Sequence, residues 1–122
     1  AVASSVSHDS HNLVVVGVDD QAMCLAANAV REHQGGIAIA DNNKVLAVLP
    51  LPIAGLMSLE AVESVDCRIR SLKQLARELG VYENIDPFMT LAFLALPVIP
   101  ELKLTTYGLV KVSEQKLVPT IF

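Results

Sequence analysis

Two long uncharged segments, each broken by proline, constrain this chain more than any other feature of its sequence. They read "VLAVLPLPIAGLMSL" at residues 45–59 and "PFMTLAFLALPVIP" at residues 87–100. Each is shorter than the roughly 20 residues that a membrane-spanning helix needs, and proline interrupts regular structure. Because apolar segments of this kind are poorly tolerated in water, we expect both in a protein core or an interface.

The composition also predicts apolar surface that needs a cover. The 122 residues are 52% hydrophobic but only 4% aromatic, which favours an interior of Val, Leu, Ile and Ala in a sheet covered by helices. The mean hydropathy of +0.49 is high for a free-standing domain. We therefore expect residues 50–57 and 93–100 to be partly covered by another domain or subunit, with a second copy in a homo-oligomer favoured.

The charge of the chain argues against a polyanionic partner. The formal net charge is −4, whereas nucleic-acid binding depends on a clustered basic surface that neutralises phosphates. Four basic residues in one segment alternate with apolar residues at helical spacing, which favours a solvated helix face. We expect neither nucleic acid nor a membrane as a partner. The four residues are Arg68, Arg70, Lys73 and Arg77.

The cysteines and the N-terminus bear on the compartment. Cys24 and Cys67 are far apart and form no C-x-x-C pair, so neither a disulfide framework nor a zinc site is supported. We expect both to be buried thiols in a reducing compartment, the cytoplasm. No signal-peptide pattern is visible, and the start at "AVASSV" without Met indicates a longer polypeptide.

Short runs rich in β-branched residues predict the strands. Residues 1–6 and 13–18 are rich in Val, and residues 37–49 form a β-hairpin around the Asn42-Asn43 turn. The tail predicts one or two closing strands separated at Tyr107-Gly108. With the helices, this order predicts one α/β or α+β layer domain over residues 1–122, with a mixed sheet of about five or six strands under two to three helices.

Three segments carry helix signals. The first begins at an acidic cap, Asp19 or Asp20, and stops at Gly35-Gly36. The second opens at Ser58 and ends at Gly80, and the third is short, with Asp86 as cap and proline at its first position. The apolar stripe of the second helix contains Leu59, Val62, Val65, Ile69, Leu72, Leu75 and Leu79.

A dense polar cluster, "SHDSHN" at residues 7–12, stands directly before the apolar run "LVVVGV". A short, half-exposed segment at a strand end can aim several hydrogen-bonding groups at one point, which favours a binding site. The alternative is a polar loop whose side chains make only structural hydrogen bonds. The candidate residues are His8, Asp9, Ser10, His11 and Asn12.

The same cluster offers little support for a metal site or a nucleophile. His8 and His11 form H-x-x-H, but metal-binding helices prefer a spacing of four and zinc needs three or four ligands. Asp9 could be a third ligand only if the loop folded back on itself. A triad of Ser10, His11 and Asp9 is rejected, because sequence neighbours rarely reach that geometry and no G-x-S-x-G elbow exists. We expect no metal ligand and no catalytic residue in this chain.

Three long strings carry a resemblance that extends over essentially the whole chain. They are "SHDSHNLVVVG", "PLPIAGLMS" and "DPFMTLAFLALPVIPELKLTTYGLV". Together they closely resemble the C-terminal domain of the bacterial-type adenine deaminases, members of the amidohydrolase superfamily. The resemblance implies a parent enzyme that hydrolyses adenine to hypoxanthine and ammonia with a metal-activated water in a barrel domain, where manganese or iron is the implied metal.

The barrel and its metal ligands are absent from this sequence, so the fragment is expected to be inactive alone and to bind no cofactor. By resemblance, the segment His8–Asn12 is the best candidate to face the active site from outside the barrel. The turn containing Gly55, Met57 and Ser58 is the second candidate.

Two functional classes stay open from the sequence. The chain is either the part of an adenine deaminase that packs over the barrel and helps to close the purine pocket, or a non-catalytic structural and oligomerisation domain. In the second class the apolar faces bind a partner.

Overall fold

The computed structural model describes residues 1–121. A four-stranded antiparallel sheet lies at its centre, with the strand order β2-β1-β3-β4. The strands are β1 (Val2–Ser4), β2 (Val14–Val16), β3 (Gly36–Asp41) and β4 (Lys44–Pro50). The predicted Val-rich strands and the hairpin turned at Asn42-Asn43 are confirmed.

The alternation of "GIAIA" along β3 gives the sheet two different faces. Side chains of successive strand residues point to opposite faces, and here one face carries Ala38 and Ala40 while the other carries Ile37 and Ile39. The small alanines let a helix approach closely. That helix is α1 (Asp20–Glu32), which packs Ala26, Ala29 and Val30 against this face.

The isoleucine face supports the other two helices, α2 (Val62–Glu78) and α3 (Pro87–Ala92). Larger side chains fill the space between these helices and the sheet, and the larger of the two buried clusters lies here. Its fully or largely buried members are Val2, Ile37, Ile39, Leu49, Leu51, Leu72, Ala76, Phe88 and Leu91.

Two helices begin where the sequence predicts. Asp19 caps α1, because its carboxylate accepts a hydrogen bond from the Ala22 backbone N–H at 2.7 Å. Asp86 caps α3, and Pro87 takes the first helical position. His33 is the C-cap of α1, and its Nδ1 lies 2.9 Å from the carbonyl oxygen of Ala29 in the last turn.

The second helix begins later than predicted. The Ser58 hydroxyl accepts a hydrogen bond from the Glu60 N–H at 3.1 Å, which makes a local turn instead of a helical first turn. Helix α2 therefore starts at Val62. The prediction that Leu59 and Val62 belong to the buried stripe is wrong, since they are 79% and 74% exposed. The stripe reaches the core from Val65 to Leu75. Its last predicted member, Leu79, is also wrong, since this C-cap residue of α2 is 40% exposed and lies outside the core.

The tail forms a separate three-stranded antiparallel sheet of β5 (Leu102–Thr105), β6 (Gly108–Lys111) and β7 (Lys116–Val118). The mixed α/β class is confirmed, but residues 1–121 contain seven strands in two sheets instead of about five or six in one. A short 3-10 turn, Val112–Glu114, followed by Gln115 at φ +51°, reverses the chain and permits the extra strand.

Both cysteines are free and exposed, so their predicted burial is wrong. The α1 residues that meet the sheet are alanines, Val30 and the partly buried Leu25, and Cys24 lies outside this set. On α2, Arg68 and Arg70 are exposed and pair with Glu60 and Asp66, in agreement with the solvated face. No helix in residues 1–121 is both long and apolar enough to cross a bilayer.

A close backbone contact fixes the apolar turn of residues 53–57 beneath the sheet. Gly35 has φ +129°, and a Cβ there would overlap the Cα of Gly55 and lie 2.9 Å from the carbonyl oxygen of Leu51. Only glycine allows both this backbone angle and this approach.

Replacement of Gly35 by alanine should therefore lower the free energy of unfolding by more than ~2 kcal/mol, since strain and a backbone collision add. Gly80→Ala is the matched control, because Gly80 also has positive φ (+105°) but open space around its Cβ; its cost should be about 1–2 kcal/mol. Urea unfolding followed by circular dichroism measures both. Equal losses would contradict the role of the close contact.

Candidate functional site

The loop between β1 and β2 carries the polar cluster, and two backbone hydrogen bonds fix its path. The backbone N–H of His8 donates to the carbonyl of Ala92 at 2.7 Å, which attaches the loop to the end of α3. The N–H of His11 donates to the carbonyl of Ser7 at 2.6 Å and closes a tight turn, with His11 at φ +51°. These bonds give an exposed segment a defined backbone path.

The two histidine rings lie together at the end of α3. The imidazole of His8 stacks on the ring of Phe93, with centroids 5.2 Å apart and an angle of 6° between the planes. The His11 ring is 5.5 Å from that of His8 at an angle of 50°. Both histidines thus take part in an aromatic cluster with Phe93, the C-cap residue of α3.

The other three residues of the cluster open onto a cleft. Asp9, Ser10 and Asn12 line a cavity of about 710 Å³ between the loop and the second sheet. Mainly apolar side chains complete its walls. They include Leu13, Val14, Val15, Ala95, Pro97, Leu104, Val110 and Leu117.

The far wall of the cleft contains polar residues that no motif in the sequence marks as functional. The end of β5 and the β5–β6 turn contribute Thr105, Thr106 and Tyr107. The Thr105 hydroxyl accepts from the Tyr107 N–H at 3.2 Å and donates to the Gly108 carbonyl at 2.9 Å, which fixes the turn. The sequence "TTYG" predicts only a break between two strands. It lies inside "DPFMTLAFLALPVIPELKLTTYGLV", one of the three strings that resemble the family, and this was the only sign that it could belong to a site.

The second predicted segment does not line this cleft. Gly55 is buried and its carbonyl accepts a hydrogen bond from the Ser5 hydroxyl at 2.5 Å; the same hydroxyl accepts from the Gly36 N–H at 2.8 Å. Ser5 directly follows β1, so the turn is attached where the polar loop begins. Met57 is exposed, and Ser58 takes part in the local turn before α2.

The donor set of the loop does not suit a metal ion. Residues 1–121 contain no group of three His, Cys, Asp or Glu side chains arranged to hold one. Asp9 faces the cleft while His8 and His11 pack at the end of α3, and two imidazoles fall short of the ligands that zinc or a similar ion requires. The hydroxyl of Ser7 and Nδ1 of His11 are buried without a hydrogen-bond partner among the described residues.

Helix α3, which holds His8, is itself secured by Asp86. One carboxylate oxygen accepts from the N–H groups of Phe88 and Met89, each at 3.1 Å, and the other accepts from the Lys73 ammonium of α2 at 2.5 Å. Burial acts to raise the pKa of Asp86, but the bonds from Lys73 and from the backbone outweigh it, so the pKa lies below its usual value.

The chain is similar in sequence to a known family and to several curated proteins. A family model described as the adenine deaminase C-terminal domain matches residues 1–116. The chain is 53% identical over 119 residues to "Adenine deaminase 2" of Carboxydothermus hydrogenoformans, and 58% identical over 113 residues to an adenine deaminase of Desulfatibacillum aliphaticivorans. These alignments include 98% and 93% of this chain, but only 21% and 20% of the relatives.

A third relative, the adenine deaminase of Desulforamulus reducens, is 50% identical over 121 residues, which is 99% of this chain and 20% of that protein. The chain therefore spans about a fifth of the length of the curated relatives it matches.

The Asp86 cap generates a prediction with a pH dependence. At pH 7, Asp86→Ala should lower the free energy of unfolding by about 1 kcal/mol, because two backbone N–H groups lose their acceptor. Asp86→Asn keeps an acceptor and removes only the charge, so its loss should be smaller. Thermal melting and urea unfolding at several pH values measure both variants.

The direction of the pH dependence follows from the lowered pKa of Asp86 in the folded chain. The ionised carboxylate contributes its full stability above the unfolded pKa, near pH ~4, and the contribution fades as the pH falls through the folded pKa. The difference between wild type and Asp86→Asn should therefore narrow below pH ~4. A difference that stays constant from neutral to acidic pH would contradict this assignment.

Proposed function

Since the chain belongs to the adenine deaminase C-terminal domain family, we propose that it is the C-terminal part of an enzyme that hydrolyses adenine to hypoxanthine and ammonia. In this proposal the domain packs over a metal-containing barrel domain and helps to close the purine pocket. The names of the relatives support the reaction, and the cleft beside His8–Asn12 supports the role in closing the pocket.

The geometry of the polar loop is the observation that carries the role. Asp9, Ser10 and Asn12, which carry a carboxylate, a hydroxyl and an amide, line one cavity, and a purine edge offers the complementary mixture of donors and acceptors. The backbone bonds of His8 and His11 hold the loop in place before any ligand arrives. Such preorganisation reduces the entropy lost on binding.

The apolar walls of the cleft give those polar groups their effect. When a second domain covers the opening, water is excluded, and hydrogen bonds to a purine gain strength in the lower dielectric. The polar turn of Thr105, Thr106 and Tyr107 faces the same cavity. In this scheme the domain binds and orients the substrate and excludes water.

The chemical step is assigned to residues outside this chain. The described residues do not form a metal-ligand set, so the manganese or iron implied by the family is assigned to the barrel domain. We propose that the chain alone does not deaminate adenine.

Asn12→Ala and Asp9→Asn in the full-length enzyme test the proposal. Each should lower kcat/KM for adenine by roughly ten- to a thousandfold, which is about 1.4–4 kcal/mol of transition-state stabilisation. Metal content and melting temperature should stay close to wild type, since both side chains are exposed and the metal lies elsewhere. Steady-state kinetics, metal analysis and thermal melting on the same preparations provide the three measurements.

Asn43→Ala is the matched control, because Asn43 is an exposed residue in the β3–β4 turn and undergoes the same chemical change. Its kinetics should equal those of wild type. Wild-type kinetics in Asn12→Ala and Asp9→Asn would overturn the proposal, and loss of bound metal from either would place a ligand in the loop.

A second candidate function, assembly through the apolar surface, is favoured by a specific group of exposed side chains. Around the turn before α2 these are Ile53, Met57, Leu59 and Val62. They lie outside the buried core, so folding of this chain alone does not explain their apolar character. Under this candidate the surface binds a second copy of the chain.

The double variant Leu59→Ser/Val62→Ser should convert a dimer of the chain to a monomer in sedimentation velocity, with little change in unfolding free energy because neither side chain is in the core. Val18→Ser is the control, since Val18 is fully exposed and lies in the connection between β2 and α1, far in sequence from the turn before α2. A wild-type chain that sediments as a soluble monomer at high concentration would rule out this candidate.

A further inference from the structure

The end of helix α3 holds His8 through two consecutive residues. Ala92 accepts the hydrogen bond from the His8 backbone, and Phe93 stacks on the His8 ring with nearly parallel planes. One short piece of chain therefore fixes both the position of the His8 backbone and the orientation of its side chain.

The Phe93 ring stands on a well-fixed support. The N–H of Phe93 donates to the Met89 carbonyl at 3.3 Å and closes the last turn of α3. Leu91 and Ala92, the two residues before it, are buried in the domain. At the other end of α3, the Asp86 cap secures the helix to α2. The position of Phe93 is therefore fixed by the core, and its ring provides a fixed contact for the surface loop.

The His8 ring itself has few other restraints. The residue is exposed, and the hydrogen bonds found among residues 1–121 include none to a ring nitrogen of His8. Its aromatic contacts among the described residues are the stacked Phe93 ring and the tilted His11 ring. Stacking of aromatic rings is directional, so loss of the Phe93 face should release the imidazole and loosen the turn beside it.

We propose that Phe93 is a positioning residue: its ring fixes the His8 imidazole and, through it, the path of the loop that presents Asp9, Ser10 and Asn12 to the cleft. This inference rests on the proposed function, in which those three side chains contact the purine. Phe93 does not line the cleft, so it acts through His8 and not by contact with the substrate.

A double-mutant cycle in the full-length enzyme tests the coupling. Phe93→Leu should lower kcat/KM by about three- to tenfold, because the stacked face is lost, whereas Phe93→Tyr, which keeps the face, should stay within about twofold of wild type. In a His8→Ala background, Phe93→Leu should change kcat/KM by less than about twofold, since its partner is already gone. Additive losses in the cycle would overturn the inference.

A spectroscopic readout separates positioning from general destabilisation. The His8 ring protons should show an upfield ring-current shift in NMR spectra of the wild type and Phe93→Tyr, and lose it in Phe93→Leu. Phe88→Leu is the matched control, because Phe88 is buried in the core on the same helix; it should reduce the melting temperature without loss of the His8 shift. If Phe93→Leu does not fold, Phe93→Met keeps more apolar volume and takes its place.

The outcomes also separate this inference from the function on which it rests. If Asn12→Ala and His8→Ala lower kcat/KM but Phe93→Leu and Phe93→Met do not, the positioning role fails and the proposed function stands. If Asn12→Ala leaves kcat/KM unchanged while the ring-current shift still depends on Phe93, the proposed function fails and the stacking contact remains without a catalytic role.

Discussion

The packing of small side chains on one face of β3 and large ones on the other is the constraint on which the structure depends. Ala38 and Ala40 allow α1 to lie close to the sheet, and Ile37 and Ile39 form the base of the larger core under α2 and α3. Because side chains alternate with a period of two, one strand specifies two layers at once. A slip of one residue would exchange the faces and displace both sets of helices.

The core of the isoleucine face also determines the shape of the surface site. Helix α3 is anchored by Phe88 and Leu91, and its last turn carries the carbonyl and the ring that hold His8. The polar loop is therefore attached to the core on one side and to the end of β1 on the other. A loop held in this manner loses little conformational entropy when it binds a ligand, which suits a rigid wall of a pocket.

The polar loop of the candidate site could be predicted from local sequence, but the arrangement of its side chains and the opposite wall of the cleft could not. The polar cluster before an apolar strand predicts that His8–Asn12 form one candidate binding loop, because strand ends bring neighbouring side chains together. The different positions of the loop residues were not visible in the sequence. The His8 ring stacks on Phe93 and the His11 ring lies beside His8, whereas Asp9 and Asn12 line the cleft. The opposite wall, around Thr106, comes from a part of the chain almost a hundred residues away in sequence.

The sequence by itself determined the helix caps, the β3–β4 hairpin and the mixed α/β class, because each depends on contacts between residues a few positions apart. The tertiary structure decided the separation of the tail into a second sheet, the exposure of Leu59 and Val62, and the cleft between the loop and the β5–β6 turn. Periodicity shows that a residue is apolar and where it lies on its element. Only packing decides which surface meets it, since burial depends on partners that are distant along the chain.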